Sequence, residues 1–162
     1  MNPDQRFSVS IHVLTLLAAT GRPLTSEQIA ASVDTHPVVI RRTMAHLRQQ
    51  GLVEARRGAN GGWRLLRAAH EITLCSVYRT LETPAVLTRH SHPNPDCPVG
   101  GHIGGALERV FSGAQQALEQ ALGQFTVADV LDDVLAHARQ EARQDAGQEV
   151  RQDAWLEARQ EA

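Results

Sequence analysis

The chain has 162 residues, 42% of them hydrophobic and 21% charged, with a formal net charge of −2. This is the composition of a globular chain of one domain, or of one small domain with an appendage. No apolar run approaches the ~18 residues that a membrane helix needs, and the N-terminus lacks a basic-then-apolar leader, which argues against secretion and membrane spanning and for a cytoplasmic protein.

The near-neutral total hides an asymmetry. Residues 1–70 carry nine arginines and four acids, whereas residues 71–162 carry seven arginines and fourteen acids. A basic N-terminal part joined to an acidic remainder suggests a polyanion-binding module attached to something else. All sixteen basic residues are arginine. Guanidinium forks suit phosphate and base contacts, although a genome composition bias is the simpler reading. Two cysteines, Cys75 and Cys97, are too few for a disulfide framework.

Met1 to Thr20 reads as a helix, with Phe7, Ile11, Leu14 and Ala18 on one face and Gly21 as its stop. Thr25 and Gln28 then fit a capping box, and Leu24 with Ile29 fit a hydrophobic staple, so a second helix runs to about Val33. A third opens after Asp34. Thr35 or His36 caps it, Pro37 suits its first turn, and Ile40, Met44 and Leu47 form its buried stripe. Val38, Arg41, Arg42 and Arg48 face elsewhere, and Gly51 ends the helix. Two helices joined by a short turn, the second with arginines on its free face, make a helix-turn-helix.

Leu52–Arg56 and Trp63–Arg67 read as two short strands. Between them lies Arg57-Gly58-Ala59-Asn60-Gly61-Gly62, in which Asn60-Gly61 is a hairpin-turn signal because both residues tolerate positive φ. A basic, glycine-rich hairpin after a recognition helix reads as a wing. Its glycines, Gly58 and Gly61 among them, let the backbone approach DNA, and Arg56, Arg57 and Arg64 can neutralise phosphates.

Thr73 starts a fourth helix with Leu74, Val77, Tyr78 and Leu81 on one face, broken by Pro84. A Pro- and His-rich loop follows. From about Ile103 a long helix carries Ile103, Leu107, Val110, Ala114, Ala117, Ala121 and Phe125 at spacings of 4, 3, 4, 3, 4 and 4, close to a heptad seam. At 1.5 Å per residue it spans ~35 Å, too long to bury its stripe on so small a domain, which implies a homodimer. Thr126 and Asp129 mark another helix start. From Arg139 the chain repeats a four-residue unit with like charges at i, i+4, which predicts a frayed or partly disordered helical tail.

The expected fold is therefore mainly α with a small β-hairpin: a winged helix-turn-helix plus a long C-terminal dimerisation helix. Residues 1–82 form the DNA-binding domain, 83–102 a Pro/His/Cys sensor loop, 103–138 the dimerisation helices and 139–162 the low-complexity tail.

This order of elements, with the wing stretch Arg57-Gly58-Ala59-Asn60-Gly61-Gly62-Trp63-Arg64-Leu65 and the fourth helix Ile72 to Glu82, resembles the BadM/Rrf2 family of bacterial winged-helix transcription regulators. The loop Asn94-Pro95-Asp96-Cys97-Pro98-Val99-Gly100 is similar to that of the YwnA-like branch. The resemblance covers about residues 1–138. It implies a homodimer on a near-palindromic double-stranded DNA operator, with recognition helices in successive major grooves and the long helix at the dimer interface. By position, it implies that Ser26, Thr35, His36, Pro37, Val38, Arg41 and Arg42 face DNA from the helix-turn-helix, and Arg57 and Asn60 from the wing. Cluster-binding members carry three cysteines in this loop. Here only Cys97 is present, which argues against an iron–sulfur cluster and leaves no cofactor to expect.

Cys97 has three readings. With Pro98 at the first helical position, Cys97 caps the long helix; the dipole and free amides then stabilise a thiolate, making a redox switch. Alternatively, His90, His92, Cys97 and His102, with Asp96 beside them, offer ligands for a zinc or iron effector. Cys97 can also be inert, as Cys75 in its apolar stripe reads as filler. Across function classes, the leading reading is a DNA-binding transcription regulator, most simply a repressor. A winged-helix protein-interaction adaptor is the rival. An enzyme is disfavoured, because no nucleophile–base pair, phosphate-cradling loop or paired carboxylates stand at catalytic spacing.

Overall fold

Local capping chemistry sets the boundaries of the first three helices. The computed structural model describes residues 3–58, 61–81, 87, 94 and 96–160, with side chains over 5–58, 61–81, 87, 94 and 96–144. Helix α1 (Pro3–Thr20) ends at Gly21, which takes a left-handed φ of 62°. Helix α2 (Ser26–Val33) opens on a complete capping box: the Gln28 amide donates to Thr25 Oγ1 at 3.2 Å, and the Thr25 amide to Gln28 Oε1 at 2.9 Å. It closes at Asp34, held left-handed at φ 52°, whose amide donates to the Ala30 carbonyl. Helix α3 (Pro37–Gln49) has Pro37 in its first turn and His36 as its cap. Three residues, Asp34 to His36, thus make the turn of the helix-turn-helix.

Strands β1 (Val53–Arg56) and β2 (Gly62–Leu65) pair antiparallel, Val53 opposite Leu65 and Arg56 opposite Gly62. Five residues, 57–61, separate them, one fewer than the sequence pattern suggests. Among the described residues of the hairpin, Gly58 at φ 109° and Gly62 at φ 144° take positive φ, and the Gly61 amide donates to the Gly58 carbonyl at 2.9 Å. Asn60 lies outside the described residues. The glycine at 62 has a steric cause: a Cβ there would stand 2.6 Å from the Leu24 carbonyl oxygen. Leu24 bridges to Trp63 through two backbone hydrogen bonds of 3.0 and 2.8 Å, adding a third short rung to the wing.

The core is one cluster. Val13, Leu14 and Leu17 of α1, Ile29 of α2, Ile40, Met44 and Leu47 of α3, and Leu52 and Val53 beside the wing are closed to solvent. Ile72, Val77 and Val127 complete it. On α1 the buried face is centred on Ser10, Val13, Leu14 and Leu17; Phe7, Ile11 and Ala18 of the expected stripe are only half-buried. Helix α1 packs against α6, α2, α4, β2 and α3, so Phe7, Ile11 and Ala18, flanking the fully buried face, also lie against the core. After a 3₁₀ turn (Ala69–Glu71), Thr73 caps helix α4 (Leu74–Thr80) through its hydroxyl. On α4, Val77 is buried and Leu74 and Tyr78 are half-buried; Tyr78 meets Phe7 edge-on at 5.6 Å. Pro84, the expected breaker, lies outside the described residues.

Helix α5 (Gly100–Leu122) starts three residues earlier than the sequence pattern suggests, and Phe125 falls in the corner beyond its end. No residue of α5 is buried within the chain. Ile103, Leu107, Phe111, Gln115, Leu118 and Leu122 are half-buried, whereas Ala114, Ala117 and Ala121 are exposed and Val110 is 62% exposed. The expected seam is therefore split between an inward and an open face. Helix α6 (Val127–Gln160) runs without a break from the corner through the repeat region to Gln160. No helix among the described residues is long and apolar enough to cross a membrane.

Met44 is fully enclosed. Met44→Ala is expected to cost ~2–5 kcal/mol in chemical denaturation, the range for opening a cavity in a packed core, while Arg42→Ala on the solvent side leaves the midpoint unchanged.

Candidate nucleic-acid interface

The free face of α3 follows from its buried one. With Ile40, Met44 and Leu47 turned inward, Val38, Arg41 and Arg42 project outward at spacings i, i+3 and i+4. Val38 is 47% exposed, an apolar side chain held in water at the helix start. His36 Nδ1 accepts from the Val38 amide at 3.2 Å, which leaves Nε2 of the neutral ring to carry the outward proton. Thr35 is half-buried and its amide donates to the Ala30 carbonyl at 3.0 Å; Pro37, also half-buried, sets the first turn of α3.

Arg41 is already engaged. Its Nη2 lies 2.6 Å from Oε1 of Glu27, on the second position of α2, in an exposed pair. The Glu27 carboxylate is held below its ordinary range first by its own backbone amide, then by the Thr25 hydroxyl and by Arg41. Arg42 is exposed and has no ion pair among the described residues. Glu27 was not legible as a functional residue, because it stands 14 positions from Arg41 across the turn and no linear spacing rule connects them.

Ser26 is buried at 8% exposure, and its hydroxyl accepts from the Trp63 indole Nε1–H at 3.1 Å. It thus faces the wing strand and fastens it to the start of α2. Strand alternation could have placed Trp63 on the inner side of the wing; the partner across 37 residues could not be read in advance. Arg56, Arg57 and Gly58 are exposed on the wing, and Gly61 is half-buried. Arg64 pairs with Glu54 directly across the strands.

The thiol of Cys97 stands apart from this surface, on the turn leading into α5. The cap position of α5 is Val99, two residues later than the sequence suggests, so Pro98 is not the first helical residue. The amides of Gly100 and then Val99 nevertheless hold the thiol below its ordinary range. The turn is tight: the Cys97 amide donates to the Asn94 carbonyl at 3.3 Å, and the Asp96 amide to Asn94 Oδ1 at 3.0 Å. Cys97 is half-buried, whereas Cys75 is buried in α4. His102 Nδ1 bonds the Pro98 carbonyl at 3.0 Å; His90 and His92 lie outside the described residues.

Comparison with known proteins places this geometry. The Rrf2 family, described as iron-dependent transcriptional regulators, matches residues 4–133. The chain is 36% identical over 130 residues to YwnA of Bacillus subtilis, a candidate HTH-type transcriptional regulator, covering 80% of this chain and 96% of that one. It is 30% identical over 122 residues to the HTH-type transcriptional repressor NsrR of Streptomyces coelicolor, covering 75% and 80%. A crystal structure of a candidate DNA-binding protein superposes with a TM-score of 0.65 at 35% identity, over 78% of this chain and 98% of that one. These relatives are regulators and not enzymes. The family description names iron, but among the described residues no three His, Cys, Asp or Glu side chains converge. With Cys97 the one cysteine of its loop and Cys75 buried elsewhere, the donor set does not fit an iron–sulfur cluster.

The two thiols differ enough to be told apart chemically. Iodoacetamide is expected to label Cys97 and spare Cys75 in the folded protein, with the Cys97 rate reaching half its plateau at a lower pH than free cysteine, because a depressed thiol pKa supplies thiolate earlier as pH rises. Peptide mass spectrometry across a pH series checks both points.

Proposed function

The chain belongs to the Rrf2 family of transcriptional regulators, and from that premise we propose that it is a homodimeric repressor that grips a near-palindromic DNA operator and releases it when Cys97 is oxidised. The observation that carries this reading is the open face of α3, where Val38, Arg41 and Arg42 stand together in solvent beside an arginine-bearing wing. Arg41 and Arg42 suit the N7 and O6 of guanine or a phosphate, and Val38 suits a thymine methyl. His36 Nε2–H is a further donor. Arg56 and Arg57 neutralise phosphates, and Gly58 and Gly61 admit the backbone close to the duplex. Asn60 is assigned to the same contact by its place in the wing sequence. Ser26, Thr35 and Pro37 act by setting the wing, the turn and the helix start.

The dimer reading is supported by apolar surface that the chain leaves open on both long helices. Val110 is 62% exposed, Phe125 55% and Val134 52%. With Ala114, Ala117 and Ala121 they suit a second copy lying along α5, where small residues allow close helix approach. The repressor reading is supported by the identity with NsrR, which is a transcriptional repressor.

The redox reading is supported by the half-buried Cys97 thiol, which the Gly100 and Val99 amides hold below its ordinary range. The thiolate attacks one oxygen of hydrogen peroxide, the O–O bond breaks and hydroxide leaves, with sulfur oxidised to the sulfenic acid. A second thiol then condenses with it to a disulfide and water is released. Either product changes the charge or linkage at the start of α5 and so the angle between the two reading heads.

Selection of bound sequences from random duplex DNA, with reduced and with peroxide-treated protein, tests all parts together. A two-fold-symmetric site is expected, bound with a steep salt dependence. Oxidation weakens binding and Cys97→Ser abolishes that response; an unchanged response in the variant removes Cys97 from the mechanism. Arg42→Ala is expected to lower operator affinity by roughly 10-fold, the loss of about 1–3 kcal/mol for a base contact. Val110→Arg is expected to turn the dimer into a monomer in sedimentation. Absence of salt-dependent duplex binding would make the chain an interaction adaptor instead.

A further inference from the structure

The Glu27–Arg41 pair is placed where stability gives it little reason to be. Both side chains are more than half exposed, and an exposed ion pair of this kind contributes little to folding. Glu27 stands at the second position of α2, directly after the Thr25–Gln28 capping box that fixes the start of that helix, so the carboxylate is carried on a short, well-anchored turn. Arg41 leans 14 residues back across the turn, from the recognition helix to the start of α2. Its neighbour Arg42, one position on, has no such partner among the described residues. Two adjacent arginines on one face are thereby made electrostatically unequal.

We infer that Glu27 is a specificity-determining positioning residue, which withholds Arg41 from phosphates and so lowers affinity for generic DNA more than for the operator. The physical argument is a competition. On a duplex of arbitrary sequence, affinity comes from phosphate neutralisation and counterion release. An arginine already neutralised by a fixed carboxylate gains nothing by that exchange, because the carboxylate would be left facing the phosphates unpaired. At the operator, a base edge offers directed hydrogen bonds that Arg41 can make through the guanidinium nitrogens Glu27 leaves free, with the carboxylate still in place as orienter. Only one guanidinium nitrogen, Nη2, contacts Glu27. The device acts by penalising the wrong sequences, not by strengthening the right one.

This inference rests on the DNA-binding reading, and the test separates the two. Glu27→Gln keeps the size and the hydrogen-bond acceptor of the side chain and removes its charge. Binding of wild type, Glu27→Gln, Arg41→Gln and the double variant is measured against the selected operator and a scrambled duplex over a salt series, with the thermal midpoint of each protein recorded. Glu27→Gln is expected to bind scrambled duplex about eightfold more tightly at 0.1 M salt and with a salt slope steeper by ~0.9, the contribution of one added phosphate contact. Its operator affinity rises less, so the specificity ratio falls. The gain disappears when Arg41 is also Gln, with the midpoint unchanged throughout. The same gain in the Arg41→Gln background overturns the inference, since Glu27 would then act by repelling DNA directly. So does an unchanged salt slope in Glu27→Gln, while wild-type binding to the operator leaves the DNA-binding reading intact. If wild type binds neither duplex, both fall together.

Discussion

The backbone pairing of Leu24 with Trp63 is the contact on which the reading head depends. It joins the segment leading into α2 to the second strand of the wing by two hydrogen bonds of 3.0 and 2.8 Å, and it requires Gly62 to have no side chain. The same tryptophan donates its indole N–H to Ser26, so one residue fixes the wing to α2 by main chain and side chain together. Strand β1 packs beside α3, so the hairpin is held to both helices of the turn. A two-stranded hairpin alone is marginal in water; tied in this way, it becomes a rigid arm at a set angle to the recognition helix. Preorganisation of this sort lowers the ordering cost of binding and sharpens the difference between a matching and a mismatching surface.

A second junction connects the reading head to the long helices. Thr73, the cap of α4, bridges to Thr126 at the corner between α5 and α6, and the Leu74 amide donates to the Phe125 carbonyl at 2.9 Å. The Val127 amide donates to the Ile72 carbonyl at 2.9 Å, and the Val127 side chain is embedded in the main core. Further along, Arg79 of α4 meets Glu119 of α5 at 2.5 Å, and the carboxylate also accepts from Gln115. The Gln115 amide and then Arg79 hold the Glu119 carboxyl below its ordinary range, so this link is complete above the usual carboxylate pKa and is lost as pH falls through the depressed one. These contacts hold the C-terminal half of α5 and the corner after it to α4 and the core. Cys97 sits on the turn that opens α5, at the end of the helix away from these contacts.

Much of the architecture was legible along the chain. The Thr25–Gln28 capping box, the His36 cap, Pro37 in its first turn and the stripe Ile40, Met44 and Leu47 are local signals, decided by groups within a few residues of each other. The wing was legible as a hairpin, but the need for glycine at 62 was not, because it answers to Leu24, 38 positions away, and not to its neighbours. The stripe on α1 pointed to the core, but its fully buried centre falls on Ser10, Val13, Leu14 and Leu17, because the helix is packed by several elements. On α5 the seven-residue rhythm was visible, yet it mixed two faces, one turned to α4 and one open.

The candidate site divides in the same way. Linear order determined that a recognition helix would present Val38, Arg41 and Arg42, because burying Ile40, Met44 and Leu47 leaves those positions no other side of a helix of 3.6 residues per turn. It determined the arginine-rich wing and the solitary loop cysteine. Only the tertiary structure decided that Ser26 would turn inward to Trp63, that Arg41 would be bound to Glu27 while Arg42 stayed open, and that the Gly100 and Val99 amides would hold the Cys97 thiol below its ordinary range although the helix begins at Gly100 and not at Pro98. The reason is common to all three. Caps, turns and periodic faces arise from neighbours in sequence, whereas side-chain partners across a turn or a hairpin are set by how whole elements pack, and that packing is a property of the core as a unit.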